Sequence, residues 1–199
     1  MPERAGFSLL ELLTVIAVIG LLAAILVPTT TAARIAARRA KTRVQFSQWT
    51  MAMDLFRQEY GFYPAIDGGS GGKVVPEIFS GALTGQALNG PDPATPSQLA
   101  GNTRRLRFYH LGEGDRDDGR ADLADGFGNT DIAVIYDRNG DGMVSSADGV
   151  ANGVRGLGRV TEWTPSRSDL DLNQGVRAGV IFYSAGNGQS ATDLVFSWK

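Results

Sequence analysis

A single carboxylate, that of Glu11, lies within the most apolar stretch of the chain. The run from Phe7 to Val27 consists almost entirely of hydrocarbon side chains and is long enough to cross a membrane, which takes about 20 apolar residues. A lone charged side chain in lipid costs roughly 2.5 kcal/mol or more. The position of Glu11, five residues after Gly6, therefore indicates a function that offsets this cost.

A second pattern, in residues 137–148, places oxygen-bearing side chains at alternate positions, as in calcium loops of the EF-hand type. Positions 1, 3, 5, 9 and 12 are Asp137, Asn139, Asp141, Ser145 and Asp148, with Gly142 at the turn and Met143 offering its backbone carbonyl. Because these oxygens can converge on a hard cation, we expect a calcium site. Position 12 is Asp rather than Glu, which resembles dockerin loops. The alternative is an Asx-rich turn without a metal.

Other chemistry has little support in the sequence. His110 is the only histidine and cysteine is absent, which argues against a zinc site, a thiolate site or a Ser-His-Asp triad. No common catalytic motif occurs in the context that its chemistry requires, so we expect no enzyme. A further acidic group fits no metal-loop template, and we expect a solvated turn there. Its members are Asp115, Asp117, Asp118, Asp122 and Asp125.

Charge and composition divide the chain near Gly61–Pro64. Residues 1–63 carry seven Lys and Arg against four Asp and Glu, a net charge of +3. Residues 64–199 carry twelve against seventeen, a net charge of −5, and contain 23 of the 26 glycines. The acidic second part argues against a nucleic-acid partner. We expect a leader at 1–6, a membrane-spanning helix at 7–28, its amphipathic continuation at 29–63 and a globular domain at 64–199.

One long helix is predicted from about Phe7 to Tyr60. Its second half is rich in Ala and contains neither Gly nor Pro between Thr29 and Tyr60. Helical pattern resumes directly after Pro28, so we expect a kink there rather than an end. Apolar side chains spaced three and four residues apart predict one buried stripe. These are Phe46, Trp49, Met53, Phe56 and Tyr60.

The domain after Pro64 is predicted to contain short strands between long loops. Four segments are rich in β-branched and aromatic residues: 106–111, 131–137, 179–186 and 194–198. Residues 67–104 are rich in Gly, Pro, Ser and Asn and leave room for one short helix. A long helix packed on a small antiparallel sheet is an α+β fold, which we expect here.

The stretch Gly6-Phe7-Ser8-Leu9-Leu10-Glu11, followed by the apolar run, resembles the N-terminus of type IV pilins and of the pseudopilins of type II secretion, most closely the major pseudopilin. The resemblance implies a pilin-like fold. It also implies cleavage between Gly6 and Phe7 by a membrane prepilin peptidase, N-methylation of Phe7, and a role for Glu11 in filament assembly.

Two segments of the domain also resemble the major pseudopilins. One is ADGFGNTDIAVIYD (124–137), which is similar to their turn and following strand, and the other is FYSAGNGQSATD (182–193), which is similar to their C-terminal calcium loop. The second segment has only Asp193 where the family clusters several acids. The loop at 137–148 would then carry the calcium instead.

The resemblance implies a structural subunit of a type II secretion pseudopilus, or alternatively a type IV pilin for adhesion, motility or DNA uptake. The absence of cysteine favours the pseudopilin, because many type IV pilins carry a C-terminal disulfide. The expected partners are further copies, other pseudopilins and the inner-membrane secretion platform. We expect a single-pass protein of the bacterial inner membrane with a periplasmic domain. The basic residues after the apolar run would by themselves favour the opposite orientation. These are Arg34, Arg38, Arg39, Lys41 and Arg43.

Overall fold

The computed structural model describes residues 8–69, 72–90, 92–117, 122–148, 153–155, 167–170, 172–188 and 190–198. It divides into two compact units, Met1–Ala37 and Arg38–Lys199. The first unit consists of the apolar half of the long helix, and the second contains the other half of that helix with the folded domain. Each unit is described by itself.

The long helix, α1, runs from Leu9 to Tyr60. It continues through Pro28 without an interruption, as the sequence predicts, whereas the expected kink stays a prediction. At its end Gly61 adopts the left-handed conformation (φ +82°), and its N–H donates to Arg57 O at 2.7 Å. A glycine is the residue that tolerates this conformation best, so Gly61 ends the helix as expected.

The predicted stripe of α1 is the centre of the core. Phe46, Trp49, Met53 and Phe56 are 0% exposed, and Tyr60 is partly buried beside them. The Trp49 ring lies 4.6 Å from that of Phe79, measured between centroids. Aromatic pairs at this separation contribute about 0.5–1.5 kcal/mol beyond the area they bury. The stripe therefore anchors the domain to the second half of α1.

A three-stranded antiparallel sheet packs on this stripe. Its strands are β1 (Ile132–Tyr136), β2 (Val180–Ser184) and β3 (Val195–Phe196), and they lie in the order β1-β2-β3. Val134 lies opposite Phe182, and Tyr183 lies opposite Phe196. Every residue of β1 and β2 is buried, because α1 covers one face and residues such as Leu170 and Leu172 cover the other. The α+β prediction is confirmed.

The predicted strand at 106–111 is wrong. This segment packs against the core through Phe108 and Tyr109, but its backbone pairs with no strand among the described residues. Leu106 N–H instead donates to the Asn102 side chain at 2.8 Å, and that side chain donates back to Leu106 O at 2.7 Å. Phe108 N–H and Tyr109 N–H both donate to Leu83 O. These local bonds satisfy the backbone groups that a sheet would otherwise use.

The segment 67–104 contains one helix, α2 (Pro76–Thr84), as expected. Pro76 occupies its first turn, and Gly85 ends it with φ +74° and an N–H bond to Gly81 O. A second, short α-helix, α3, spans Arg167–Leu170. Single 3₁₀ turns lie at Glu113–Asp115, Ser146–Asp148 and Ala191–Asp193. Apart from these elements and isolated β-bridges such as that between Lys73 and Ala133, the described part of the domain is irregular.

Candidate functional sites

The start of α1 is closed by two side chains that exchange bonds with the backbone. Ser8 N–H donates to Glu11 Oε2 at 3.0 Å, and Leu10 N–H donates to Ser8 Oγ at 3.3 Å. This arrangement is a variant of the capping box, in which the Ser8 hydroxyl accepts from the second rather than the third helical residue, and it satisfies N–H groups that a helix start leaves without partners. Ser8 is absent from the predicted set of functional residues. Its signal was the S-x-x-E spacing directly before an apolar run.

Glu11 is otherwise surrounded by exposed apolar side chains. Leu9, Leu10 and Leu12 are all more than half exposed, and the most apolar 18-residue window of α1 has a mean hydropathy of 2.8 with none of it buried. In the described part of the chain this is the one helix whose length and composition would allow it to cross a membrane. These features are consistent with membrane anchoring. Gly6 and Phe7 lie outside the described residues.

The loop 137–148 directs its oxygen atoms toward its own backbone. Asp137 accepts bonds from the N–H groups of Gly140 (2.8 Å) and Gly142 (2.9 Å). Asn139 Oδ1 accepts from Asp141 N–H at 3.0 Å, and Asp141 Oδ1 accepts from Met143 N–H at 2.8 Å. Gly142 has φ +83°, in agreement with its predicted turn position. The structure thus places three of the predicted site residues, Asp137, Asn139 and Asp141, in a run of Asx turns.

Asp148 closes the loop. Its Oδ1 accepts from Arg138 N–H at 2.9 Å, and its Oδ2 accepts from Ser145 N–H at 2.8 Å and from Ser145 Oγ. Burial opposes ionisation of this carboxyl, but the donated N–H groups outweigh burial and hold its pKa below the ordinary Asp value. Asp148 therefore stays ionised wherever an ordinary carboxyl does. Among the described residues no three Asp, Glu or His side chains cluster as a metal-holding group.

Asp125 departs from the expectation of a solvated acidic turn. It is 3% exposed and accepts from Ser184 Oγ at 2.6 Å, from Asn129 Nδ2 at 2.9 Å, and from two backbone N–H groups. Burial raises its pKa above the ordinary value, although the donated bonds oppose that shift. The prediction was wrong here because the partner on β2 lies 59 residues further along the chain.

Asp115 is also buried, at 6% exposure, against the same expectation. It accepts from Gln45 Nε2 and Tyr109 Oη, each at 2.9 Å, and from Gly112 N–H at 2.9 Å. Gln45 belongs to α1, so this carboxylate fixes the loop 109–115 to the helix. Burial, with the nearby Asp115 charge, raises the pKa of Tyr109. Asp118, from the same acidic group, lies outside the described residues.

The two domain segments that resemble major pseudopilins meet in space. Asn129 Nδ2 donates to Gly186 O at 2.8 Å, and Ser184 Oγ donates to Asp125. The turn at 125–129 is therefore hydrogen-bonded to the carboxyl end of β2, which belongs to the second segment. In that second segment Asp193 accepts from Ser190 Oγ at 2.9 Å. The contacts of Asn129 and Asp125 are buried and hold the two segments together, whereas the contact between Ser190 and Asp193 is exposed.

Comparison with known proteins identifies the N-terminus. Residues 1–27 match the family model of the prokaryotic N-terminal methylation motif. Neither the curated proteins nor the solved structures contain a significant match to the chain. The motif indicates a type IV pilin-like precursor and implies processing by a prepilin peptidase and association with a membrane. It covers residues before and within the first half of α1 and does not extend to the domain.

Proposed function

We propose that this chain is a structural subunit of a type II secretion pseudopilus. In this proposal a prepilin peptidase cuts between Gly6 and Phe7, the new amine of Phe7 is methylated, and the mature chain joins a filament through α1. The observation that carries the proposal is a carboxylate, Glu11, inside an exposed apolar helix that begins within a methylation motif. The chain performs no catalysis in this role.

The capping box indicates how Glu11 could serve both the single chain and the filament. One oxygen, Oε2, accepts from Ser8 N–H, while no bond to Oε1 is described. An ionised carboxylate can accept several bonds, so Oε1 is available to a cation. The Phe7 amine of a neighbouring subunit would be such a cation, and a charge pair shielded by packed helices is tolerated where a lone charge is not. This pairing would favour the assembled state.

The choice of a pseudopilus over a type IV pilus rests on the chain's lack of cysteine, since many type IV pilins carry a C-terminal disulfide. The proposed partners are further copies, other pseudopilins and the inner-membrane platform, with the domain in the periplasm. The alternative is a type IV pilin for adhesion, motility or DNA uptake. Deleting the gene in the source bacterium separates the two. Loss of protein secretion into the medium supports the pseudopilus, whereas loss of twitching or surface pili supports the alternative.

A set of variants at the helix start tests assembly. Glu11→Leu should leave membrane insertion intact and reduce incorporation into filaments, as measured by shearing and immunoblotting of the polymerised fraction. Ser8→Ala is the matched control, because it removes the Oγ cap but keeps the N–H bond to Glu11. Equal incorporation of wild type and Glu11→Leu would contradict the role of Glu11. If Ser8→Ala and Glu11→Leu reduce incorporation equally, Glu11 acts in assembly only by capping the helix.

We further propose calcium as a ligand of the loop 137–148. The side chains at the five predicted ligand positions fit a hard cation, because each offers an oxygen atom as a ligand. The Asn139 nitrogen is engaged with Asp141, and Asp148 remains ionised. The carboxylates that accept loop N–H groups retain further lone pairs. Asp137, Asn139, Asp141, Ser145 and Asp148 would hold the ion together with the Met143 carbonyl. Bound calcium would order a domain that contains little regular structure.

A further inference from the structure

A small cavity lies between the carboxyl end of α2 and the segment 107–116. Its volume is about 80 Å³, well below the roughly 300–1,000 Å³ of typical small-molecule sites. Its lining includes two buried hydroxyl-bearing residues and three residues with basic side chains. These residues are Ser80 and Thr84, and Arg107, His110 and Arg116. The cavity therefore has room for one small polar group, and cationic residues line it.

Among the described residues, neither guanidinium group of this cavity is paired with a carboxylate. Arg107 Nη2 donates to Gln86 Oε1 at 3.2 Å, which is a neutral partner. Within the described residues the Arg116 side chain makes no hydrogen bond or ion pair, and no carboxylate pairs with Arg107. No Asp or Glu is among the described residues that line the cavity. The pair of guanidiniums thus places a charge of about +2 around a small space, because arginine is always protonated in proteins.

Two larger cavities of the domain differ in this respect. One, of about 410 Å³, combines Arg57 and Arg138 with the carboxylates of Asp67 and Asp137. The other, of about 510 Å³, includes Lys41 together with Asp115 and is lined mainly by apolar surface. Only the small cavity has cations on its rim without a carboxylate, among these three. Its charge is therefore a local property and does not follow from the acidic composition of the domain.

The end of α2 does not account for these cations. A helix C-terminus carries about half a negative charge on its unpaired carbonyls. Here the last carbonyls have partners, since Gly81 O accepts from Gly85 N–H, Ala82 O from Asn102 Nδ2, and Leu83 O from two backbone N–H groups. Two full positive charges exceed what remains of the helix dipole. The hydroxyls are also engaged, because Ser80 donates to Gln86 O and Thr84 donates to Ser80 O.

We propose that this cavity binds one phosphomonoester group, either inorganic phosphate or the headgroup of a lipid such as phosphatidic acid. A guanidinium presents a planar set of donors that matches phosphate geometry, and charge-assisted bonds of this kind are about twice as strong as neutral ones. A dianion neutralises both arginines, whereas a carboxylate, with a single negative charge, leaves one positive charge without a partner. The two hydroxyls are held by their bonds to the backbone, and Arg116 supplies donors that no described residue uses.

The test uses the full-length chain in nanodiscs of phosphatidylcholine and radiolabelled inorganic phosphate in equilibrium dialysis. We expect saturable binding that acetate displaces only weakly. The double variant R107Q/R116Q should lower the affinity about tenfold or more, which corresponds to about 1.4 kcal/mol. R43Q is the matched control, since Arg43 is an exposed arginine of α1 that does not line the cavity. Circular dichroism of each variant verifies that the domain is folded.

Two results would overturn the proposal. The first is no saturable phosphate binding by the folded wild type, and the second is an equal loss of affinity in R43Q and R107Q/R116Q. A second arm then identifies the source of the phosphoryl group. If it belongs to a lipid, nanodiscs containing phosphatidic acid should compete with inorganic phosphate in the wild type, and this competition should disappear in R107Q/R116Q. If it is free phosphate, lipid composition should leave the affinity unchanged.

Discussion

Ser184 Oγ donates a 2.6 Å hydrogen bond to the buried carboxylate of Asp125, and this bond joins the turn 125–129 to β2. The same turn also reaches α1, because Gly126 N–H donates to Thr42 Oγ1 at 3.0 Å. One five-residue turn thus connects the helix and the sheet, which otherwise meet through apolar side chains. A single substitution in this turn should therefore lower the stability of the domain substantially.

Replacing Asp125 with Asn should destabilise the domain. The carboxylate accepts four bonds, and an amide would turn an NH₂ group toward donors such as Ser184 Oγ or Asn129 Nδ2. Leaving buried polar groups unsatisfied costs about 1–3 kcal/mol. Urea denaturation of the full chain in detergent, followed by tryptophan fluorescence, measures the loss. Asp92→Asn removes an exposed carboxylate and should have no effect. Equal midpoints for wild type and Asp125→Asn would contradict the structural role of this carboxylate.

Replacing Gly126 with Ala should separate the turn from α1. A Cβ at this position would lie 2.7 Å from Arg38 O and 2.8 Å from Thr42 Oγ1, and both are too close for a carbon atom. Such overpacking costs typically about 1–3 kcal/mol. Gly112→Ala is the control, because its Cβ would meet nothing nearer than 3.7 Å. Thermal melting of the two variants should differ clearly. If both melt like the wild type, the close approach of turn and helix is not required.

Asp148 should make the stability of the domain depend on pH in the acid range. Its pKa is below the ordinary Asp value in the folded chain, so the unfolded chain binds more protons there and stability falls as the pH falls. The contribution is fully present above the unfolded pKa of about 3.9 and is lost as the pH drops through the lower folded pKa. Asp148→Asn should be less stable than wild type at neutral pH, and this difference should narrow below pH about 4. A constant difference in urea midpoints would disprove the prediction.

Calcium should raise the melting temperature of the full chain. A ligand that binds only the folded state stabilises it by about 2.7 kcal/mol at a hundredfold excess over its Kd. Asp137→Ala removes the first ligand position and should abolish the increase, whereas Asp92→Asn should preserve it. Differential scanning calorimetry in calcium and in chelator measures the shift. Identical melting in both buffers would remove calcium from the loop and leave the metal-free run of Asx turns.

The parts of the fold that the sequence predicts best are the long periodic stripe of α1 and two short, continuous apolar strands. The stripe from Phe46 to Tyr60 is periodic over four turns, and β1 and β2 are short apolar runs that are buried on both faces. Segment 106–111 has similar composition, but the side chain of Asn102 takes the backbone bonds of Leu106. Composition identifies a segment that will be buried. It does not reveal which group will accept its N–H bonds.

The polar sites were predictable only where their partners are close in sequence. The turns of loop 137–148 arise from bonds between residues two to ten positions apart, so spacing alone indicates them. Asp115 and Asp125 look like surface acids because their partners, Gln45 and Ser184, lie 70 and 59 residues away. No local pattern signals such a pair. The contact between Ser8 and Glu11 could have been predicted from the sequence, since both residues lie within four consecutive positions.

That capping box has a consequence for maturation. Both Ser8 and Glu11 lie on the carboxyl side of the Gly6–Phe7 bond, so their contact does not involve the leader. Proteolysis at that bond would leave both partners of this contact in the same chain. The trimmed protein would keep the contact that closes α1 at its third residue, Leu9, so this helix start would be ready for contact with other subunits directly after cleavage.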